Sequence, residues 1–135
     1  MNIIQRFNLT GSVAVITGGG RGIGRGIALA YAEAGADVVL AARTLSDVEA
    51  VAEEVRSLGR RALALSCDVN DAEQRSAVVT QAREHMGRIT HLVNNAGGAG
   101  PNDPLTLSVE RFEEIMRFNV SSAYHLCQLC VPHMR

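Results

Sequence analysis

Short apolar runs alternate with longer amphipathic segments along the whole chain. The runs have the length of strands, the first of them is rich in β-branched residues, and the segments between them have a helical period. The predicted strands are Val13 to Thr17, Asp37 to Ala42, Arg61 to Cys67 and Ile89 to Asn94. Strands that alternate with helices favour right-handed crossovers and a parallel sheet, so the pattern predicts an α/β fold.

Helices are predicted after each strand from their start and stop signals. Ser46 and Glu49 have the spacing of a capping box, and Asn70 is predicted to cap the next helix. A glycine follows each of the first three helices, as is common at helix ends. The predicted helices are Gly22 to Ala34, Ser46 to about Leu58, Asn70 to about Met86, and a long helix from about Ser108 with Pro132 near its end.

A glycine-rich turn joins the first strand to the first helix. It reads Thr17-Gly18-Gly19-Gly20-Arg21-Gly22-Ile23-Gly24. A strand that turns tightly into a helix aims unpaired N–H groups and the positive end of the helix dipole at the space above the turn. Glycines let an anion approach the backbone closely. The turn therefore predicts a pyrophosphate cradle, and its alternative interpretation is a flexible loop.

The position of this turn also predicts the order of the strands. In a doubly wound sheet with a phosphate-binding turn after the first strand, the expected order is 3-2-1-4, with the ligand crevice at the carboxyl ends of the strands. Asp68 and the segment Asn94-Asn95-Ala96-Gly97 also follow strands. We therefore expect them to converge with the glycine turn on one crevice.

Four motifs in order carry a family resemblance. They are Thr17-Gly18-x-x-x-Gly22-x-Gly24, Asp68-Val69, Asn94-Asn95-Ala96-Gly97, and Asn119 within the last helix. Together they resemble the short-chain dehydrogenases/reductases over nearly the whole chain. The resemblance implies a Rossmann-type domain over residues 1–135, truncated before the fifth strand. The sequence would then be the cofactor-binding half of a longer protein.

The resemblance also implies roles for individual residues. Asp68 would accept a hydrogen bond from the adenine amino group, with the Val69 backbone beside the ring. Ala96 and Gly97 would leave room for the ribose, while Asn95, together with Asn94, ties strand ends together. The alternatives are ordinary structural roles, because Asp can cap a helix and Asn often forms turns.

The end of the second strand predicts which cofactor is bound. An acid there would bond the adenosine 2′-hydroxyl of NAD, but no acid lies between Asp37 and Asp47. Arg43 can offer a guanidinium to the 2′-phosphate of NADP, and Arg21 can approach it from the glycine turn. In the family, basic residues at these positions accompany NADP. Each arginine alone could equally be a solvated surface charge.

The catalytic residues of the family are largely missing from this chain. The family uses a Ser and a Y-x-x-x-K pair, with an Asn that holds a water chain to the lysine. Asn119 matches that Asn, but the sequence contains no lysine. We expect an NADP-dependent oxidoreductase of ketones or secondary alcohols, represented by an inactive half. Its substrate would be of steroid or 3-oxoacyl type. The alternative is a non-catalytic NADP-binding or interaction module.

Composition excludes other classes of function. The formal charge is -1 with acids and bases interspersed, so no nucleic-acid surface is indicated. No apolar run approaches the ~20 residues of a membrane span, and no secretory signal is visible, so we expect a cytoplasmic protein. Cys127 and Cys130 could form a redox pair or part of a metal site, but we favour packing and predict no metal. The apolar last helix predicts a homo-oligomer.

Overall fold

Four parallel strands form one sheet in the order β3-β2-β1-β4. A computed structural model describes residues 1–134. The strands are β1 (Val13–Thr17), β2 (Asp37–Ala42), β3 (Ala62–Ser66) and β4 (His91–Val93). The predicted α/β class and the strand order 3-2-1-4 are confirmed, and β1 and β2 have the predicted bounds.

Helices cover both faces of the sheet. The described α-helices are α1 (Ile3–Arg6), α2 (Gly22–Glu33), α3 (Leu45–Ser57), α4 (Ala72–Met86), α5 (Val109–Met116) and α6 (Ser122–Cys130). A π-helical turn, Arg117–Ser121, joins α5 to α6, and a 3₁₀ turn, Val131–His133, follows α6. The long helix predicted from Ser108 is therefore interrupted by a widened turn.

Side chains of β1 alternate between two apolar layers. Val13 and Val15 pack in a cluster with residues of α4 and α6, whereas Ala14 and Ile16 pack in a second cluster with residues of α2 and α3. Every residue of β1 is buried. Burial on both faces explains why this strand reads as a continuous apolar run rather than as an alternating one.

The predicted capping box at the start of α3 is wrong. The helix begins at Leu45, and Thr44 is its N-cap residue. The Thr44 carbonyl accepts from the amides of Asp47 and Val48, at 3.2 and 3.5 Å. Because the chain turns into the helix directly after β2, Ser46 already lies inside the first turn and cannot be the cap.

The predicted cap of α4 is wrong by one residue. Asp71, not Asn70, is the N-cap, and its Oδ1 accepts from the amides of Glu73 and Gln74 at 2.9 and 3.1 Å. Asn70 instead donates its amide to Asp68 Oδ1, at 2.9 Å. That tight turn after β3 moves the start of the helix on by one position.

β4 is shorter than the predicted Ile89 to Asn94. Only its three residues pair with β1, from His91 opposite Ala14 to Val93 opposite Ile16. Before the strand, the Thr90 hydroxyl accepts from the Val13 amide at 2.9 Å and so replaces a backbone acceptor. After it, the Asn95 amide bonds back to the Val93 carbonyl at 3.1 Å, which ends the extended conformation.

The three cysteines have different environments. Cys67 and Cys130 are buried, whereas Cys127 is exposed. Burial raises the pKa of the Cys130 thiol to about 11, with the neighbouring Cys127 adding to the effect. The packing interpretation is thus confirmed for Cys130, which belongs to the apolar core, whereas Cys127 lies at the surface. Within residues 1–134, no cluster of His, Cys, Asp and Glu suited to a metal ion occurs.

None of the helices within residues 1–134 combines the length and the apolar character that crossing a bilayer requires.

Candidate functional site

A cleft opens at the carboxyl ends of the strands, where the sequence predicted one. Eight of the predicted cofactor residues line it: Gly18, Arg21, Arg43, Asp68, Val69, Asn95, Ala96 and Gly97. Gly20, Ala41, Ala42, Thr44, Asp47, Cys67 and Phe118 complete the lining. Gly22, Ile23 and Gly24 do not line the cleft but form the beginning of α2 beside it. The fold therefore gathers residues from five separate chain segments around one opening.

The glycine turn packs too closely for side chains. A Cβ on Gly24 would lie 2.1 Å from the Gly18 carbonyl oxygen. Gly18 has a φ of +63°, and a Cβ on it would lie 2.8 Å from Asn95 Nδ2. Asn95 Nδ2 itself donates to the Gly18 carbonyl at 3.0 Å. The turn is thereby fixed to the segment after β4, as predicted for Asn95.

Thr17 holds the two sides of the cleft floor together. Its buried hydroxyl accepts from the amides of Asn95 and Ala96, at 3.1 and 3.0 Å, and lies 3.4 Å from the Val93 carbonyl as donor. Thr17 belongs to the predicted glycine motif, but no role was predicted for its side chain. The available signal was a hydroxyl at the end of an otherwise apolar strand, which must find partners when buried.

The start of α2 has no side-chain cap. Arg21 is the N-cap residue in an extended conformation, and its side chain makes no capping hydrogen bond. Gly22 has a φ of +57° with no atom within 4 Å of a Cβ position, and Ile23 is 77% exposed. The first N–H groups of the helix therefore donate no hydrogen bond to the side chain of the N-cap residue. Such a cradle fits an anionic diphosphate, because the helix dipole and bare donors both favour negative charge.

Asp68 and Val69 are held in place by α4. The Asp68 amide donates to Gln74 Oε1 at 2.8 Å, and the Val69 carbonyl accepts from Arg75 Nη1 at 2.5 Å. Arg75 Nε in turn donates to His125 Nδ1 of α6, at 2.9 Å. The alternative in which Asp68 caps the helix is wrong, since Asp71 does so. Asp68 lines the cleft, while its Oδ1 accepts from the Asn70 amide.

The end of β2 presents a cation and no acid. Arg43 and Arg21 are exposed at the cleft, and neither lies within 4 Å of a carboxylate in the described part of the chain. Asp37 starts β2 at the opposite end of the sheet, where it pairs with Arg60 and Arg61 at 2.9 Å. It cannot reach a ligand in the cleft.

Asp47 enters the cleft from the first turn of α3. It is half-buried, and a Cβ on Gly20 would lie 2.8 Å from the Cβ of Asp47. In the sequence, Asp47 lies within the predicted capping box and ends the stretch without an acid, and no role in the cleft was predicted for it. Asp47 is the third residue of α3, and the first turn of the helix brings it back over the end of β2. Its position along the chain therefore did not indicate that it belongs to the site.

The thiol of Cys67 also lines the cleft but stays protonated. Burial raises its pKa to about 11, and the negative charge of Asp68 contributes to the same shift. A thiol with that pKa is neutral at physiological pH and is a poor nucleophile. Cys67 therefore contributes shape to the cleft floor rather than chemistry.

Asn119 lies in the π-helical turn and is bonded on several sides. Its Oδ1 accepts from the Gly98 amide at 2.8 Å, and its Nδ2 donates to the carbonyls of Gly98 and Ile115 at 2.8 and 2.9 Å. A Cβ on Gly97 would lie 2.6 Å from Asn119 Oδ1. Asn119 thus connects this turn to the loop at the rim of the cleft. Widened turns of this kind are frequent at functional sites.

The comparison with family models agrees with this geometry. The model described as short chain dehydrogenase matches residues 12–135. The chain belongs to this family. An uncharacterized oxidoreductase of Mycobacterium tuberculosis is 45% identical over 98% of the chain and 50% of its own length. The 7α-hydroxysteroid dehydrogenase of Escherichia coli K12 is 40% identical over 96% of the chain and 51% of its own length.

Solved structures of the family have the same fold. A 7α-hydroxysteroid dehydrogenase in complex with NADH and 7-oxo glycochenodeoxycholic acid matches with a TM-score of 0.94 and 38% identity. The match covers 99% of the chain and 52% of that structure. The chain spans about half the length of the relatives that it matches. Relatives in the family bind nicotinamide cofactors, as the NADH in that complex illustrates.

Proposed function

We propose that the cleft binds NADP(H) and that the protein interconverts a ketone and a secondary alcohol. The observation that carries the choice of cofactor is the end of β2, where Arg43 stands at the cleft and the strand itself ends without an acid. Arg21 lines the same cleft from the glycine turn. Two guanidinium groups near one ribose favour a 2′-phosphate over a 2′-hydroxyl.

The remaining residues divide the cofactor between them. The bare N–H groups at Gly22, Ile23 and Gly24 would hold the pyrophosphate, close to Gly18. Asp68 and Val69 would hold the adenine, while Asn95, Ala96 and Gly97 shape the wall of the cleft next to it. The nicotinamide of such a cofactor supplies hydride transfer. The protein's own residues supply binding and orientation.

Asn119 is the catalytic residue that we assign within this chain. Its bonds to Gly98 and Ile115 fix the π-helical turn against the rim of the cleft. By analogy with the family, it would order water for the proton transfer that accompanies hydride transfer. The substrate that we propose is a ketone or alcohol of steroid or 3-oxoacyl type, consistent with the hydroxysteroid dehydrogenase among the relatives.

The exposed face of α5 and α6 supports an oligomer. Five large apolar or aromatic side chains between 41% and 68% exposed lie along it: Val109, Phe112, Met116, Val120 and Tyr124. Apolar residues that recur along one helical surface mark a contact with another protein surface. We propose a homo-oligomer, with the cytoplasm as its location.

The assignment of the cofactor is tested by charge reversal at Arg43. The probes are 2′,5′-ADP and 5′-AMP, which differ only in the 2′-phosphate, and binding is measured by calorimetry. We expect Arg43→Asp to weaken 2′,5′-ADP about ten- to a hundredfold, since a charge-assisted phosphate contact contributes about 1.5 to 3 kcal/mol. With Arg21→Gln added, we expect the preference between the probes to reverse.

Arg6→Asp is the matched control for the change in charge. Arg6 lies in α1, outside the cleft lining, and the substitution changes the net charge by the same amount. It should leave the ratio of the two affinities within about twofold of the unmodified protein. Equal affinity of the unmodified protein for both probes would contradict the assignment of NADP.

A further inference from the structure

A carboxylate stands in the same cleft as the two arginines. Asp47 lines it together with Arg21 and Arg43, although it belongs to α3 rather than to the end of β2. No ion pair within 4 Å joins Asp47 to either arginine or to another cation of residues 1–134. Its charge is therefore not neutralised by direct pairing within the described protein.

Packing holds Asp47 close to the glycine turn. The Cβ of Asp47 occupies the space in which a side chain on Gly20 would lie, at 2.8 Å from that Cβ position. The next residue, Val48, is completely buried in the core and fixes the rotation of α3. Because both the helix and the turn are packed, the Cβ of Asp47 is held at the edge of the cleft, within reach of a ligand bound there.

The carboxylate acts differently on the two forms of the adenosine ribose. It can accept a hydrogen bond from a 2′-hydroxyl, as acids do in dinucleotide sites that bind NAD. It repels a 2′-phosphate, which carries a charge of the same sign. The arginines and the acid therefore act in opposite directions on the same choice.

We propose that Asp47 is a specificity-determining residue that limits the preference of the cleft for a 2′-phosphate. The inference rests on the proposed function, because it presupposes that the adenosine ribose lies near Arg43. Arg43 favours the phosphorylated cofactor, and Asp47 keeps the cleft able to hold the cofactor that lacks the phosphate. The acid missing from the end of β2 is supplied by the first turn of α3.

Asp47→Asn tests this with the same two probes. Removal of one like charge near a dianion should tighten 2′,5′-ADP about three- to tenfold at low salt, and less at high salt. The affinity for 5′-AMP should not rise, since the variant loses a carboxylate acceptor. Glu49→Gln is the matched control, because Glu49 lies on the same helix, carries the same charge and does not line the cleft. It should leave the affinity ratio unchanged.

A ratio of affinities that stays within about twofold in Asp47→Asn would overturn the inference. If Arg43→Asp still weakens 2′,5′-ADP selectively, only the role of Asp47 fails. If neither variant changes the ratio, the proposed NADP site fails as well. Circular dichroism checks that each variant is folded. Should Asp47→Asn not fold, Asp47→Ser, which suits the first turn of a helix, takes its place with the same expected outcome.

Discussion

The two ends of the sheet differ in whether their polar groups are paired within the protein. At the carboxyl end, α2 begins without a side-chain cap, and Arg21, Arg43 and Asp47 line an open cleft without ion pairs among the described residues. At the amino end, Asp37, the one buried carboxylate of residues 1–134, is fully hydrogen-bonded. Polar groups that have no partner inside the protein are available to a ligand, so the carboxyl end of the sheet is suited to binding. The paired groups at the amino end stabilise the fold.

Asp37 illustrates how completely the amino end is bonded. Its Oδ1 accepts from Arg60 Nη2 and from the Arg61 amide, both at 2.9 Å, and its Oδ2 accepts from Arg61 Nε at 2.9 Å. The guanidinium of Arg61 also reaches the Met86 carbonyl at the end of α4, at 3.4 Å. One carboxylate thus connects β2, the start of β3 and a helix.

This contrast predicts that substitutions at the two ends have separable effects. At the amino end, a change should lower the free energy of unfolding and leave binding intact. At the carboxyl end, a change in the cleft charges should alter binding more than stability. The glycine turn is the exception, because there the backbone serves both purposes. Its variants should therefore have the largest effect.

Gly24→Ala should be the most damaging single substitution. The new Cβ would lie 2.1 Å from the Gly18 carbonyl oxygen. Neither atom can rotate away, because the backbone sets both positions. We expect the free energy of unfolding to fall by about 3 kcal/mol or more, as in severe overpacking. Binding of 2′,5′-ADP should be lost. Urea unfolding and calorimetry measure the two effects.

Gly26→Ala is the matched control on the same helix. No atom lies within 4 Å of its Cβ position, so the methyl group meets open space. We expect a gain of about 0.5 to 1 kcal/mol, because Ala has the higher helix propensity. Equal losses of stability in the two variants would show that contact with the Gly18 carbonyl is not what requires glycine at position 24.

Asp37→Asn should have the next largest effect on stability. The variant loses the charge that binds Arg60 and Arg61, and hydrogen bonds to charged groups contribute about 1.5 to 3 kcal/mol. We expect a fall of that size in the free energy of unfolding, measured in urea. The affinity for 2′,5′-ADP should stay within about twofold of the unmodified protein, because Asp37 lies at the far end of the sheet.

An exposed ion pair provides the comparison for Asp37. Glu54 binds Arg25 at 2.5 Å, but both side chains are more than 40% exposed. Solvent screening weakens such a pair, so Glu54→Gln should have little effect on the free energy of unfolding. A loss in Glu54→Gln as large as that in Asp37→Asn would contradict the importance that we attach to burial.

The last expected effect is a dependence of the free energy of unfolding on pH. Burial opposes ionisation of Asp37, but the hydrogen bonds from Arg61 and Arg60 outweigh it and lower the pKa of the carboxyl in the folded protein. Below the ordinary Asp pKa of about 3.9, the unfolded chain therefore takes up the proton first, and acid favours unfolding. The stability difference between the unmodified protein and Asp37→Asn should be constant above about pH 5 and shrink as the pH falls below about 4. A difference independent of pH down to about 3 would refute this.

Local pattern was sufficient for much of the fold and of the cleft. The apolar runs of β1 and β2 have the predicted bounds because both faces of these strands are buried, which leaves a continuous signal. The glycine turn was predicted because a close approach of an anion to the backbone requires glycine, whereas the segment Asn94 to Gly97 was predicted from its resemblance to a family motif. Parallel order then placed them at one edge of the sheet.

Features that depend on how segments meet were not predictable in this way. The π-helical turn around Asn119 is stabilised by bonds to Gly98, a residue of a distant loop. The helix caps were misplaced by one or two residues because the turn geometry after each strand decides where a helix begins. Such contacts leave no periodic trace in the sequence.

By itself, the sequence determined the fold class, the strand order and eight residues of the cleft. Periodicity, the glycine turn and the two arginines account for part of this, and the resemblance to the family accounts for Asp68, Val69, Ala96 and Gly97. Only the tertiary structure decided that Asp47 belongs to the cleft. The reason is geometric, since packing of α3 against the glycine turn brings together Gly20 and Asp47, which are separated along the chain by α2 and β2.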